Sequence, residues 1–255
     1  MLNDLKDKVV LITGSSTGIG AATALAFGRL GARVAVHCHS SRAPAEEVVR
    51  KIQAGGAQAC LLQADVRDSG QCRQLVEDTV KTFGRIDVLI NNAGAMVQRV
   101  PIEAITDALF DEVVHLNVRS AMVCSAAAVE AMRRQGGGGA IINVTSVAAR
   151  HGGGAGASLY AGSKGFVSTM TRGLAKELAK DKIRVNAVAP GVITTPFHDR
   201  FSTPAMLEAF RGTIPMSRLG APEECAGAFV YLASEQMSGY VTGQIMEVNG
   251  GQYMP

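Results

Sequence analysis

A chain of 255 residues with 25 Lys and Arg against 22 Asp and Glu carries a formal charge of only +3, too little to mark a polyanionic partner such as nucleic acid. With 47% hydrophobic and 18% charged residues it lies far from disordered compositions, and at this length about 75% of the extended surface becomes buried on folding. Its 29 glycines follow no Gly-X-Y period, which excludes a collagen-like structure and points to tight loops.

The amino end places Asp4, Lys6, Asp7 and Lys8 where a secretion signal needs an unbroken apolar core, so no signal is expected. Residues 121–132 form the most apolar stretch, but Ser125 and Glu130 interrupt it and it is too short for a membrane span. Five cysteines, at 38, 60, 72, 124 and 225, form no CxxC pair. Their odd number suits reduced thiols, and a cytoplasmic protein without disulfides is expected.

Short β-branched runs alternate with helical patterns along the chain. Strands are predicted at 9–12, 34–36, 60–62, 86–90, 141–144, 183–188 and 245–248. The first helix follows from Ile19, Thr23, Phe27 and Leu30 at helical spacing, with Gly31 as its stop. Further helices are predicted at 44–54, 69–83, 104–115, 118–134, 157–180 and 222–234. This alternation implies an α/β fold, a doubly wound parallel sheet of about seven strands with helices on both faces. No linker interrupts it, so residues 1–255 are read as one domain. The glycine tracts 136–139 and 152–154 read as loops beside strands. Residues 190–215 lack strand character, and Thr194, Thr195, Pro196, Thr203 and Pro204 are expected to break any early helix, leaving a mobile flap over a site.

Thr13-Gly14-Ser15-Ser16-Thr17-Gly18-Ile19-Gly20 joins the first strand to the first helix, where glycines let backbone N–H groups approach an anion. A plain strand-to-helix connection is the competing explanation. The spacing differs from GxGxxG and lacks the Gly-Lys-Ser/Thr ending of a P-loop, which disfavours nucleoside triphosphate chemistry. The second strand also ends without the acidic residue that accepts the ribose hydroxyls of NAD. Ser40, Ser41 and Arg42 stand there instead, a set suited to a 2′-phosphate, so NADP(H) is expected as the preferred cofactor with NAD(H) as the alternative. A merely solvated Arg42 is the competing reading. His37 and His39 share a strand face with Cys38 between them, but no third ligand has suitable spacing and no metal is expected.

Tyr160-Ala161-Gly162-Ser163-Lys164 sets a phenol and an ammonium on one helical face. The cation is expected to lower the tyrosine pKa into a range where it exchanges protons with a substrate. Ser146 follows the strand 141–144, at the carboxyl edge where doubly wound sheets build their sites.

Taken in order, these motifs, with Asp65-Val66, Asn91-Asn92-Ala93-Gly94, Asn117, Pro190-Gly191, Thr242-Gly243-Gln244 and Asn249-Gly250-Gly251, resemble those of the short-chain dehydrogenases/reductases, the 3-oxoacyl-carrier-protein reductases among them. The resemblance covers nearly the whole chain. It implies a Rossmann-like fold and hydride transfer between NADP(H) and a small-molecule carbonyl or secondary alcohol. By the same resemblance Ser146 holds the substrate carbonyl, Tyr160 donates or accepts the proton, Lys164 binds the nicotinamide ribose and tunes Tyr160, and Asn117 anchors a relay water. For the cofactor it implies Gly14, Ser16, Gly18, Ile19 and Gly20 at the pyrophosphate, and Asp65 and Val66 at adenine. Asn91, Ala93 and Gly94 follow along the nucleotide, and Pro190, Gly191, Ile193 and Thr195 lie toward nicotinamide. A homotetramer packed through the long helices and the last strand is also implied.

Ser146 and Tyr160 lie 14 residues apart, one more than the commonest family arrangement, and the extra residue is expected to bulge the glycine-rich loop 151–156. Substrate choice is expected to reside at 96–100, 151–159 and 194–206. The rival reading is a dinucleotide-binding sensor or scaffold without catalysis, against which the intact Ser146, Tyr160 and Lys164 argue.

Overall fold

The computed structural model describes residues 3–255; the first two residues of the expected 1–255 unit lie outside the described residues. The strands are β1 (Val9–Ile12), β2 (Arg33–Cys38), β3 (Ala59–Gln63), β4 (Val88–Asn91), β5 (Gly139–Val144), β6 (Ile183–Pro190) and β7 (Ile245–Val248). They form one sheet in the order β3-β2-β1-β4-β5-β6-β7, and every pairing is parallel. The order reverses between β1 and β4, so connections leave that point in opposite directions and open a crevice at the carboxyl ends.

The helices are α1 (Gly18–Arg29), α2 (Arg42–Ala54), α3 (Ser69–Phe83), α4 (Asp107–Val114), α5 (Ser120–Gln135), α6 (Ala148–His151), α7 (Ser158–Leu178), α8 (Pro196–Phe201), α9 (Pro204–Gly212), α10 (Pro222–Ala233) and α11 (Glu235–Ser238). Strand side chains alternate between two apolar layers, as expected where both faces are covered. On β1, Val10 and Ile12 join the layer that holds Phe27 of α1, Ile52 of α2 and Phe229 of α10. Leu11 joins the layer of Leu75 from α3, Met132 from α5 and Leu178 from α7. Among the described residues no helix is long and apolar enough to cross a membrane.

Three departures from the expected elements bear on the site. Pro196 and Pro204 do not break helices but start α8 and α9, because a first-turn residue has no intrahelical use for the N–H that proline lacks. Thr203 caps α9 by accepting from the Met206 N–H, so the flap is built of two short helices. The helices expected at 104–115 and 118–134 run together through a π-helical turn, His115–Arg119, whose residues keep right-handed helical backbone on both sides. The glycine-rich loop after Ser146 begins with α6, which Gly152 ends in the left-handed conformation at φ 86°.

Phe27 and Phe229 are both 0% exposed. Phe27→Ala is expected to remove about 3–5 kcal/mol of stability, read as a lowered midpoint in urea denaturation with little change in slope.

Candidate active site

The turn after β1 is held from below by a buried histidine. Ser15 Oγ donates to the Ile12 carbonyl at 2.7 Å and accepts from the His37 N–H at 2.9 Å. His37 Nδ1 accepts from the Gly14 N–H at 2.8 Å, so the ring carries its proton on Nε2 and donates it to the Ala64 carbonyl at 3.1 Å. With 1% of its surface exposed, the imidazole is kept neutral and its pKa is pushed down by burial to about 4. His37 thus ties the glycine turn to the end of β3.

Thr13 and Asn92 join the ends of β1 and β4. Thr13 Oγ1 accepts from the N–H groups of Asn92 and Ala93, each at 3.0 Å, and Asn92 Nδ2 donates to the carbonyls of Thr13 and Gly14, each at 2.9 Å. Any side chain at Gly20 would collide with the Gly14 carbonyl and approach Asn92 Nδ2 to 2.5 Å. At Gly94 a Cβ would meet Asn117 Oδ1 at 2.6 Å and Lys164 Nζ at 3.0 Å. Thr17 offers no side-chain cap to α1, leaving the first-turn N–H groups free for an anion.

The resulting cleft, about 710 Å³, runs along the carboxyl ends of the strands. Gly14, Ser16, Gly18, Ile19 and Gly20 line it, as do Ser40, Ser41, Asp65 and Val66. Ala93, Gly94, Ser146, Tyr160 and Lys164 line it too, as do Pro190, Gly191, Ile193 and Thr195, with Thr195 close against Gly18. These surroundings fit a dinucleotide: an uncapped helix start for a pyrophosphate, glycines that clear the backbone, and hydroxyls along the rest.

Three expected residues stand elsewhere. Asn91 is buried below the cleft, its Nδ2 donating at 2.9 Å to both Ser125 Oγ and Asn143 Oδ1, because strand alternation turns it toward α5. Asn92, the next residue, takes the place at the cleft. Asn117 lies behind Gly94, with both ends of its amide used by Ala95: Oδ1 accepts at 3.0 Å and Nδ2 donates at 2.8 Å. Arg42 is exposed and turned along α2, where Nε donates to Glu46 at 2.8 Å and Nη1 to Gln63 at 3.4 Å. Asp65 reaches the cleft with its carboxylate engaged by Arg67 Nη2 at 2.8 Å, which holds its pKa below the usual carboxylate value.

Lys164 is 4% exposed, and its Nζ donates to the Val144 carbonyl at 2.9 Å. It stands 5.9 Å from the center of the Tyr160 ring. Contrary to the expected acidification, burial pushes the Tyr160 phenol up to about 12, with the Ser146 hydroxyl pulling in the opposite direction. Burial pulls Lys164 down to about 8. Desolvation disfavours the charged form of each group. Opposite Tyr160, the Phe197 ring lies at 5.6 Å and packs edgewise on Phe201 at 5.0 Å. Sequence reasoning assigned no individual site role to Thr13, Asn92, Arg67, Arg99 or Phe197, although Thr13 and Asn92 stand inside recognised motifs and Arg99 and Phe197 inside the segments expected to govern substrate choice.

The His37 geometry sets a pH dependence. Its folded pKa of about 4 lies below the ordinary 6.5, so it adds stability above pH 6.5 that is lost as the pH falls toward 4. In urea unfolding at a series of pH values, the stability difference between wild type and His37→Gln is expected to shrink across that window.

A family model described as enoyl-(acyl carrier protein) reductase matches residues 14–252. The 3-oxoacyl-[acyl-carrier-protein] reductase of Synechocystis sp. is 39% identical over 254 residues, covering 98% of each chain. L-rhamnose 1-dehydrogenase (NAD(P)(+)) of Sphingomonas sp. is 38% identical, again covering 98% of both. Among solved structures, the NADH-dependent reductase A1-R′ complexed with NAD superposes with a TM-score of 0.89 at 40% identity, over 100% of both chains. A short-chain type dehydrogenase/reductase from Mycobacterium marinum gives a TM-score of 0.92 at 36% identity, over 100% of this chain and 98% of that one. With the crevice, the glycine turn and the Ser146, Tyr160 and Lys164 cluster all present, the chain belongs to the short-chain dehydrogenase/reductase family of oxidoreductases.

Proposed function

We propose that the protein reversibly interconverts a carbonyl and a secondary alcohol with NADP(H), Tyr160 acting as general acid and base, and that residues 1–255 form one catalytic unit. The observation that carries this reading is the convergence of Ser146, Tyr160 and Lys164 on one stretch of cleft wall beside Gly94. When bound, the nicotinamide supplies or accepts the hydride. The chain's own groups do the rest. N–H groups at the start of α1 hold the pyrophosphate, and Lys164 Nζ, with donors beyond its bond to Val144, reaches a ribose hydroxyl. Ser146 Oγ donates to the carbonyl oxygen, and Tyr160 Oη transfers the proton to it. Asn117, its amide spent on both backbone groups of Ala95, positions the Gly94–Ala95 stretch of the cleft wall rather than a relay water.

The protonation state favours donation. A phenol pushed up to about 12 holds its proton at neutral pH, so carbonyl reduction starts from the resting form while alcohol oxidation needs the rarer tyrosinate. Oxidation is expected to speed up as the pH rises above neutrality while reduction does not, measured as initial rates in both directions. Tyr160→Phe is expected to lower turnover by about 10²–10⁴-fold with cofactor affinity nearly unchanged, measured by steady-state rates and fluorescence titration. Retained turnover overturns the assignment.

Ser40 and Ser41 in the cleft, with no carboxylate at the end of β2, support NADP(H). The Arg42 to Glu46 pair is exposed, and such pairs contribute about 0–1 kcal/mol, so the guanidinium can swing to a 2′-phosphate at little cost. The NADH-dependent neighbour favours NAD(H) as the second reading. A higher kcat/KM with NADPH than with NADH, reduced about tenfold by Arg42→Ala, is the expected result; a wild-type preference for NADH overturns it. Relatives named for a 3-oxoacyl carrier protein and for L-rhamnose place acyl and sugar carbonyls first among substrates to assay. Exposed Phe110, Met122 and Phe166 on α4, α5 and α7 support a homotetramer packed through these helices, and the reduced thiols a cytoplasmic location.

A further inference from the structure

We infer that the substrate carries a carboxylate and that Arg99 binds it in the flap half of the cleft. This inference rests on the proposed carbonyl chemistry and names the kind of molecule that undergoes it.

Charge is distributed unevenly along the cleft. Its two lining carboxylates, Asp65 and Glu112, both pair with Arg67, each at 2.8 Å, at the end away from the flap. Arg99 and Arg200 line the flap end, and among the described residues neither has a carboxylate within ion-pair distance. Arg200 is exposed, with its guanidinium 5.1 Å from the Phe201 ring center. Arg99 is half-buried, and that burial lowers its pKa. A guanidinium stays charged regardless, and a cation withdrawn from water without a counter-ion is costly. An anionic ligand offsets that cost.

The surroundings hold Arg99 in place. Nη1 donates to the Ala155 carbonyl at 2.7 Å and Nε to the Phe201 carbonyl at 3.3 Å, while Nη2 has no hydrogen-bond partner among the described residues. Ala155 belongs to the loop that enters α7 and Tyr160, and Phe201 ends α8, whose Phe197 stands 5.6 Å from the Tyr160 ring. The free nitrogen is therefore carried on the same walls that carry the proton donor. Two backbone features accommodate this. A Cβ at Gly156 would lie 2.9 Å from Arg99 Cγ, so the arginine stem passes over a glycine. Val97, a β-branched residue, adopts φ 65° two residues earlier, a strained left-handed conformation of the kind that clusters at ligand sites. His198 touches the same region, but burial and the Arg99 charge lower its pKa and keep it neutral, so it offers hydrogen bonding rather than charge.

A carboxylate held there fixes the other end of the substrate and orients its carbonyl toward Ser146 and Tyr160. Matched pairs differing in that one group test this: D-galacturonate with D-galactose, and acetoacetate with acetoacetamide, assayed in both directions with both cofactors. The carboxylate member is expected to show a kcat/KM at least about tenfold higher, mainly through KM. Arg99→Gln is expected to bring the ratio of the pair close to one, and Arg99→Lys to restore part of it. If Arg99 only clamps the two loops, Arg99→Gln slows both members equally and the ratio survives, which overturns the inference. A wild-type ratio near one overturns it too, as does turnover confined to neutral ketones or 3-oxoacyl thioesters, and in those cases the proposed reaction still stands. If no carbonyl compound or alcohol is turned over, the proposed reaction falls by itself. Thermal-shift titration of the NADP-loaded protein with D-galacturonate and D-galactose then decides the inference: stabilisation by the acid alone supports it, and equal or absent stabilisation overturns it.

Discussion

A lysine ammonium that is 4% exposed needs a partner inside the protein, and the Val144 carbonyl at 2.9 Å is the one it has. Much of the site's geometry follows from that bond. It docks α7 against the carboxyl end of β5, and Thr145 reinforces the docking by donating to the Lys164 carbonyl at 2.9 Å. Tyr160, one turn earlier on α7, is thereby carried to the cleft beside Ser146, which follows the same strand. Gly94 has to be glycine because Lys164 Nζ and Asn117 Oδ1 already occupy the space a side chain would take. The same desolvation sets the protonation states, raising the phenol to about 12 and lowering the amine to about 8. The pair enters a reaction as neutral phenol and mostly charged amine, and on the proposed reading that is the arrangement a carbonyl reductase needs at rest.

The cofactor half of the crevice depends on a second set of buried polar groups. Thr13, Asn92 and His37 use nearly all their donors and acceptors on backbone groups at the ends of β1, β3 and β4. Such satisfied networks favour one backbone arrangement over its neighbours, since each broken bond would leave a buried group unpaired. The glycine turn is consequently preorganised, and the free N–H groups at the start of α1 are aimed before any anion arrives.

The fold was readable from the chain because parallel strands buried on both faces appear as short apolar runs, and β1, with all four residues buried, is the plainest of them. The glycine turn and the Tyr160 to Lys164 spacing were readable for a similar reason, since local backbone and helical geometry fix them. What stayed hidden depends on orientation or on solvation. Asn91 and Asn92 are the same residue type in one motif, and only the register of β4 decides which faces α5 and which faces the cleft. Arg42 has the right position for a phosphate, but its orientation along α2 toward Glu46, from which it has to swing, is not written in the sequence. Pro196 and Pro204 look like helix breakers until the helix start is known. The Tyr160 shift has the opposite sign to the one spacing suggests, because spacing reports the neighbouring charge and says nothing of burial. Arg99 lay in a segment expected to govern substrate choice, but nothing local singled it out within 96–100; its meaning comes from residues at 155 and 201.

The most direct measurement is a crystal structure of the protein with oxidised NADP. The account predicts the nicotinamide ring beside Tyr160 and Ser146, a ribose hydroxyl about 2.7–3.2 Å from Lys164 Nζ, and the pyrophosphate over the start of α1. A dinucleotide seated elsewhere, or a nicotinamide turned away from the Tyr160 hydroxyl, contradicts it.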